Sequence, residues 1–209
     1  LPPDSPSCLQ LYNIIFRRIL SMLDMKQIQR HYFKPDSPIP IPKHHLELWP
    51  GFITSILQYE QSIMLCCEVS HKVLRKETVL EFLYDLKGKF DNRRFYDEAV
   101  KRVVGEIVLT RYNNKTYRVD DINWDAHPTD SFELYDGSSI TFAEYYKKQY
   151  NRDIEDPKQP LLVTKPKRKF GPGGKKADDR PILLLPELCF MTGLSDEMRA
   201  DFHLMKDLG

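Results

Sequence analysis

Tyr112-Asn113-Asn114-Lys115-Thr116-Tyr117-Arg118-Val119-Asp120-Asp121-Ile122-Asn123-Trp124-Asp125 decides how the rest of the chain is read. Two adjacent asparagines make a turn, tyrosines and cations flank it, and the segment returns as a strand predicted over residues 115–123. Phe132, Tyr145-Tyr146 and Tyr150 follow. Together they supply what a single-stranded nucleic acid asks of a protein surface: flat rings, phosphate-binding hydroxyls and nearby positive charge.

Upstream of this stretch, residues 106–112 read as a strand, after Gly105 stops the preceding helix. Two short amphipathic helices are predicted at 77–86 and 95–104, on either side of the charged turn Asp91-Asn92-Arg93-Arg94. Downstream, a strand at 131–134 and the turn signal Asp136-Gly137 lead to a short strand at 139–141 and a helix at 142–150. Further strands are predicted at 161–164 and 182–185, then a helix at 196–208. Many short strands with helices between them predict an α+β fold, a small OB- or SH3-like β-barrel with an α/β appendage.

A helix and a linker β-sheet precede the barrel. Leu11, Ile15, Ile19 and Leu23 recur every fourth residue, which predicts a helix over 7–24 with Ser7 as its N-cap. Pro35, Pro38, Pro40 and Pro42 then force an extended connector. Strands follow at 46–49, 52–59 and 63–69, with breaks at Pro50-Gly51 and Glu60-Gln61-Ser62. The composition shift at His71 divides the chain into residues 1–70 and 71–209.

Bulk composition narrows the function. Of 209 residues, 31 are Lys or Arg and 30 are Asp or Glu, a net +1 that disfavours a non-specific duplex coater. No window approaches the ~20 apolar residues that span a bilayer, so no membrane partner is expected. Cys8, Cys66, Cys67 and Cys189 form no CxxC pair, and Cys66-Cys67 read as reduced core thiols of an intracellular protein. The first residue is not Met and the last lies in a helical pattern, so the chain reads as part of a longer protein.

Tyr117, Phe132, Tyr145, Tyr146 and Tyr150 form the candidate aromatic group. Aromatics on a strand and a short helix are ordinarily core, but spacing divides these. Tyr145 and Tyr150 lie about 140° apart around a helix and border one cleft, whereas Tyr146 and Tyr150 share a stripe. Arg111, Lys115, Arg118, Lys147 and Lys148 surround them, against the plain alternative of a solvated surface. The segment 165–176 carries six cations and no acid, with Pro and Gly that predict a mobile basic loop able to follow a phosphate backbone.

Catalysis finds little in the sequence. Asp120 and Asp121 point to opposite faces of a strand, Asp178-Asp179 fall beyond the basic segment, and His44-His45 lie in the proline-rich connector. His127 and His203 stand alone, and no HExxH, GxSxG or complete P-loop occurs, so neither metal nor cofactor is expected. Asn114-Lys115-Thr116 matches a glycosylation sequon, a pattern common by chance.

The motifs ILQYEQSIMLCCEVSHKVLR (56–75), VLTRYNNKTYRVDDINWD (108–125), ITFAEYYKKQYN (140–151), QPLLV (159–163) and LLLPELCFMTGL (183–194) resemble those of Piwi-clade Argonaute proteins. The region before about residue 71 is similar to the end of the N domain and the first linker, and the remainder to the PAZ domain. The resemblance implies a twisted barrel and an α/β appendage with a cleft between them, which anchors the 3′ end of a single-stranded guide RNA. In Piwi proteins that guide is a piRNA with a 2′-O-methylated terminal ribose.

By motif position, Tyr117, Tyr145 and Tyr150 would set hydroxyls on the terminal phosphodiester and Phe132 would pack against the terminal nucleotide. Leu185 would wall the ribose pocket, with Met205 beside the methyl group, and Tyr146, Arg111 and Lys115 would complete the set. Arg111 stands where microRNA-type Argonautes have His, Lys115 where they have Arg and Gln149 where they have Lys, and the Asn113-Asn114 connection is shorter.

The slicing carboxylates of the family belong to the PIWI domain, so no cleavage by this chain is expected. The partners implied are a piRNA 3′ end, the remaining Argonaute domains and other silencing proteins. The implied setting is germline transposon silencing in the cytoplasm, including perinuclear RNA granules. Two other readings stay open on the residues. One is a protein-interaction module docking through the helix at 7–24 and exposed strand edges; the other is a metal-dependent nuclease.

Overall fold

The computed structural model describes residues 5–60, 62–134, 136–165 and 180–208. Two compact units emerge, residues 1–76 with 192–209, and residues 77–191. Apart from Lys165, the basic segment read at 165–176 lies outside the described residues, as do Asp178 and Asp179.

The first unit opens with helix α1 (Pro6–Met22), buried at Cys8 and Leu20. Its N-cap is Ser5 rather than Ser7, because Pro6 occupies the first helical position, where its fixed φ fits and no N–H is needed. The proline-rich stretch is not a bare connector. β1 (Lys26–Ile28) and β2 (His31–Phe33) form a hairpin, and β3 (Ile39–Ile41) pairs antiparallel with β4 (Leu46–Tyr59). Pro40 is tolerated because β3 pairs with one neighbour only, the position in a sheet where a missing donor does least harm.

β4 runs unbroken through Pro50-Gly51 and pairs along its length with β5 (Ser62–Thr78), from Leu46 opposite Arg75 to Tyr59 opposite Ser62. On its other edge β3 covers residues 46–48 and β2 covers residues 51–53, so Pro50 falls in the gap between them. Gly51 is required by close approach: a Cβ there would collide with the Tyr32 carbonyl and the Phe33 ring of β2.

Cys66 and Cys67 are exposed, which corrects their reading as core thiols. Leu57, Tyr59, Met64, Leu65 and Val69 are exposed with them, so neither face of this end of the ladder is buried. The buried thiols are Cys8 and Cys189.

In the second unit, α2 (Val79–Lys89) starts at a capping box in which Thr78 and Glu81 satisfy each other's backbone, and α3 (Asn92–Val103) starts at Asp91. β6 (Ile107–Thr110) pairs with β7 (Lys115–Arg118). The strand predicted over 115–123 is in fact two, because the chain changes sheets at Val119-Asp120. Val119 N–H donates to Glu106, whereas Asp120 N–H donates to Val163. β8 (Asp121–Asn123) therefore joins β11 (Leu161–Thr164), which pairs in turn with β12 (Ile182–Leu184). Such a corner is how a small barrel closes.

Between β8 and β11 the chain makes an excursion. A hairpin of β9 (Ser131–Glu133) and β10 (Ser139–Thr141) feeds helix α4 (Phe142–Tyr150), which starts at a second capping box, Thr141 with Glu144. A 3₁₀ turn at Pro186–Leu188 leads into β13 (Cys189–Thr192), which pairs with β6; neither was legible in the sequence. The barrel core joins Leu83 and Leu86 of α2, Phe95 and Ala99 of α3, Val108, Ile122, Leu162, Leu184 and Met191. The unit is thus the expected α+β barrel with an α/β appendage.

The chain returns to the first unit for α5 (Asp196–Ala200) and α6 (Phe202–Leu208), two helices where the sequence suggested one. The Asp201 carboxylate separates them by accepting the N–H groups of His203 (2.9 Å) and Leu204 (3.2 Å), as an N-cap does.

Gly51→Ala is expected to destabilise the first unit by about 1–3 kcal/mol, since the intruding methyl meets backbone. Gly88→Ala, where nothing lies within 4 Å, should be neutral or stabilising by up to about 1 kcal/mol. Urea unfolding in single-tryptophan backgrounds separates the two effects, with Trp49 reporting on the first unit and Trp124 on the second.

Candidate functional site

The candidate site lies within the second unit, where α4 packs on the barrel. The β6–β7 turn supplies one side. Asn114 adopts a left-handed φ of 52°, and the Asn113 carboxamide closes the turn by accepting from Lys115 N–H (3.1 Å) and from the Thr110 hydroxyl. Its amide donates to the Tyr117 hydroxyl at 3.3 Å. One side chain thus shapes the turn and aims a phenol.

α4 supplies the other side. Tyr146 is 4% exposed, and its hydroxyl lies 3.3 Å from that of Tyr112. The Tyr112 ring also tilts against Tyr150, with centroids 4.4 Å apart. Phe132 of β9 stacks on Phe142 (4.6 Å, 23°) and meets Tyr145 edge-on at 5.4 Å. Tyr145 lies 6.2 Å from Tyr150 at 80°. Phe142, Tyr146, Leu161 and Leu185 are the buried centre of this cluster, and Tyr112, Phe132, Tyr145 and Tyr150 form its half-buried border.

Electrostatics follow from burial. Desolvation pushes the Tyr112 and Tyr146 phenols far above their ordinary value, so both stay neutral. Tyr145 is raised by burial first, then by the Tyr150 and Tyr117 phenols. Charge is more peripheral. The Arg111 guanidinium stacks over the Phe190 ring at 4.2 Å, Lys115 is exposed at the turn, and Lys147 pairs with Asp153 at 2.5 Å.

Leu185 is held by a polar lattice behind it. Gln159, 1% exposed, accepts from Glu187 N–H (3.0 Å) and donates to the Asp156 carbonyl (2.9 Å). The Glu187 carboxylate in turn accepts from the Glu155 and Asp156 N–H groups. His127 Nδ1 rests 3.1 Å from the Gln159 carbonyl, a structural role.

Among the residues singled out from sequence, the fold brings Phe132, Tyr145, Tyr146, Tyr150 and Leu185 into one cluster, with Tyr117 packed on the adjoining barrel core and Arg111 and Lys115 near the turn. Tyr146 and Leu185 need correction as surface contacts: the Tyr146 ring is interior with its hydroxyl committed to Tyr112, and Leu185 is fully buried at the centre of the cluster. Met205 belongs to the first unit, exposed on α6. Tyr112 and Asn113 were missed as members, although both stood in the turn that drew attention. Among the described residues no group of three or more His, Cys, Asp or Glu side chains could hold a metal, and no helix is long and apolar enough to cross a membrane.

Residues 80–209 match the PAZ domain, and residues 27–76 match the Argonaute linker 1 domain. The chain belongs to the Piwi branch of the Argonaute family. It is 56% identical over 208 residues to Piwi-like protein 1 of Gallus gallus and 57% identical over 208 residues to Piwi-like protein 1 of Danio rerio. Both comparisons cover 100% of this chain and 24% of the relative, so the chain spans about a quarter of these Piwi-like proteins. The crystal structure of Drosophila Piwi agrees with a TM-score of 0.63 at 35% identity, over 100% of this chain and 24% of that one. A PAZ domain is a nucleic-acid-binding module, and neither matched domain is the catalytic part of an Argonaute.

The buried phenol pair makes a thermodynamic prediction. Tyr112→Phe strands the Tyr146 hydroxyl and should cost about 1–3 kcal/mol. The Tyr112→Phe/Tyr146→Phe double variant should cost less than the sum of the singles, measured by urea unfolding as a double-mutant cycle. Both folded-state pKa values are raised, so the pair's contribution is intact below pH 10 and falls as pH rises beyond it. The double variant should lose stability less steeply above pH 10 than the wild type.

Proposed function

We propose that this PAZ domain anchors the 3′ end of a single-stranded guide RNA, a piRNA with a 2′-O-methylated terminal ribose, in the aromatic cluster between the β6–β7 turn and α4. The observation that carries the reading is the gathering of Tyr145 and Tyr150 beside the Phe132 ring on the border of an otherwise buried cluster, with Tyr117 on the adjoining barrel core. The hydroxyls hold the last phosphodiester and Phe132 packs on the terminal nucleotide, while Leu185, 1% exposed, backs the rings from within the cluster. Arg111 and Lys115 add positive charge at the turn, and Tyr146 supports Tyr112 from behind.

Stacking on an aromatic contributes ~1–3 kcal/mol per base, so a few contacts give firm but releasable binding with little base selectivity. Burying the added methyl is worth ~0.8 kcal/mol, a few-fold preference. The whole protein would be a cytoplasmic piRNA-guided silencing factor whose other domains include the slicing one. A second reading, docking to protein partners without RNA, draws on the exposed apolar residues Leu11, Ile14, Ile15 and Ile19 of α1.

Competition among short RNAs ending in 2′-O-methyl, 2′-hydroxyl or 3′-phosphate tests the proposal. The methylated end should bind a few-fold better than the hydroxyl end and the 3′-phosphate worst. Tyr145→Ala and Tyr150→Ala should each weaken binding by roughly 5- to 150-fold (~1–3 kcal/mol) while far-UV circular dichroism is retained. Normal RNA affinity in both variants would favour the protein-docking reading.

A further inference from the structure

The first unit carries a second cleft, of about 260 Å³, between α1 and the β1–β2–β4 sheet. That volume is near the lower end of ligand sites, about 300–1,000 Å³, and suits one small group rather than a folded element. Arg17 of α1 and Arg30 of the β1–β2 turn both line it with exposed side chains. Among the described residues neither guanidinium has a carboxylate partner, so the cleft presents two uncompensated positive charges.

Tyr32 lines the same cleft from β2. It is 5% exposed, and its hydroxyl finds no hydrogen-bond partner among the described residues. A buried polar group left unpaired costs about 1–3 kcal/mol, so a ligand oxygen that accepts from it is favoured. Burial raises this phenol's pKa, and the charge of Arg17, which lines the same cleft, acts the other way.

The remaining walls are not those of a simple anion site. The half-buried Phe16 ring offers a flat apolar surface. Asn13 donates its amide to the Leu9 carbonyl and Gln27 donates its own to the Gln29 carbonyl, both at 2.9 Å. Each therefore keeps its side-chain oxygen as an acceptor, which suits an exocyclic amino group and repels a carboxylate. Thr54 and Ser55 of β4 add hydroxyls that both donate and accept.

We propose that this cleft binds one nucleotide of a single-stranded nucleic acid, with its phosphate on Arg17, Arg30 and the Tyr32 hydroxyl and its base against Phe16. A base bearing an amino group, such as adenine, is preferred because Asn13 and Gln27 accept from it. The site is built wholly from the first unit and stands or falls apart from the aromatic cluster of the PAZ domain.

Amide NMR titration of the 209-residue chain with AMP tests it. Saturable shifts are expected at residues 13–17, 27–32 and 54–55, with UMP, adenosine and inorganic phosphate each binding more weakly. Arg17→Gln/Arg30→Gln should lower AMP affinity at least about tenfold, the loss of charge-assisted bonds. Tyr32→Phe, which keeps the packing, should lower it several-fold. Tyr145→Ala should leave AMP binding at these amides unchanged. The proposal is overturned if AMP moves none of these amides, or if the double arginine variant binds AMP as the wild type does. It is also overturned if inorganic phosphate or a glutamate-rich peptide competes as well as AMP.

Discussion

The hydroxyls of Tyr112 and Tyr146, 3.3 Å apart, join the barrel to its appendage, and the arrangement of the PAZ domain depends on that contact. Two phenols taken out of water cost free energy unless each finds a partner. Here each partners the other across the two pieces, so the β6–β7 turn and α4 are registered against one another. Leu161, Leu185 and Phe142 supply the apolar area around the pair. Without the polar contact the same area could be buried in several rotations of α4. With it, Tyr145 and Tyr150 are fixed toward the border while Tyr146 faces in.

The backbone makes that registration possible at two points. The switch of sheets at Val119-Asp120 closes the barrel and leaves the β6–β7 turn projecting toward α4, with Asn113 spanning from the turn to Tyr117. The Thr141–Glu144 capping box starts α4 at a fixed residue, and the left-handed Asn151 (φ 51°) ends it. A shift of one residue at the start would rotate every tyrosine by about 100°. The caps therefore act on the site as directly as the rings do.

Much of this was legible locally. Helix α4 appears with the predicted boundaries, because its hydrophobic spacing and its turn signals are contained in the residues themselves. The aromatic group was legible too, since strand and helix periodicity decides which rings share a side. What could not be read depends on distant neighbours. Pro40 looks like a strand breaker until β4 is seen beside it on one edge only, and Pro50 until the gap between β2 and β3 is known. Cys66 and Cys67 look like core in an apolar run, but their sheet is uncovered there. Tyr146 looks equivalent to Tyr145 and Tyr150, and only the position of Tyr112 separates them. The Thr-x-x-Glu signatures at Thr78 and Thr141 mark both helix starts within the sequence itself.

The distribution of charge argues for the kind of recognition this Piwi-type domain would use. Lys147 is tied to Asp153, and Arg111 lies over Phe190. Tyr145 and Tyr146 are neutral phenols whose pKa burial raises further, so neither carries charge. A site built on lysines would attract any phosphate and would weaken steeply with salt. One built on oriented neutral donors and rings instead rewards a strand end whose last sugar and phosphate fit its shape, and discriminates against the continuous backbone of a duplex. On the proposed reading, that distinction would let a chain of net charge +1 hold a terminus without coating nucleic acid in general.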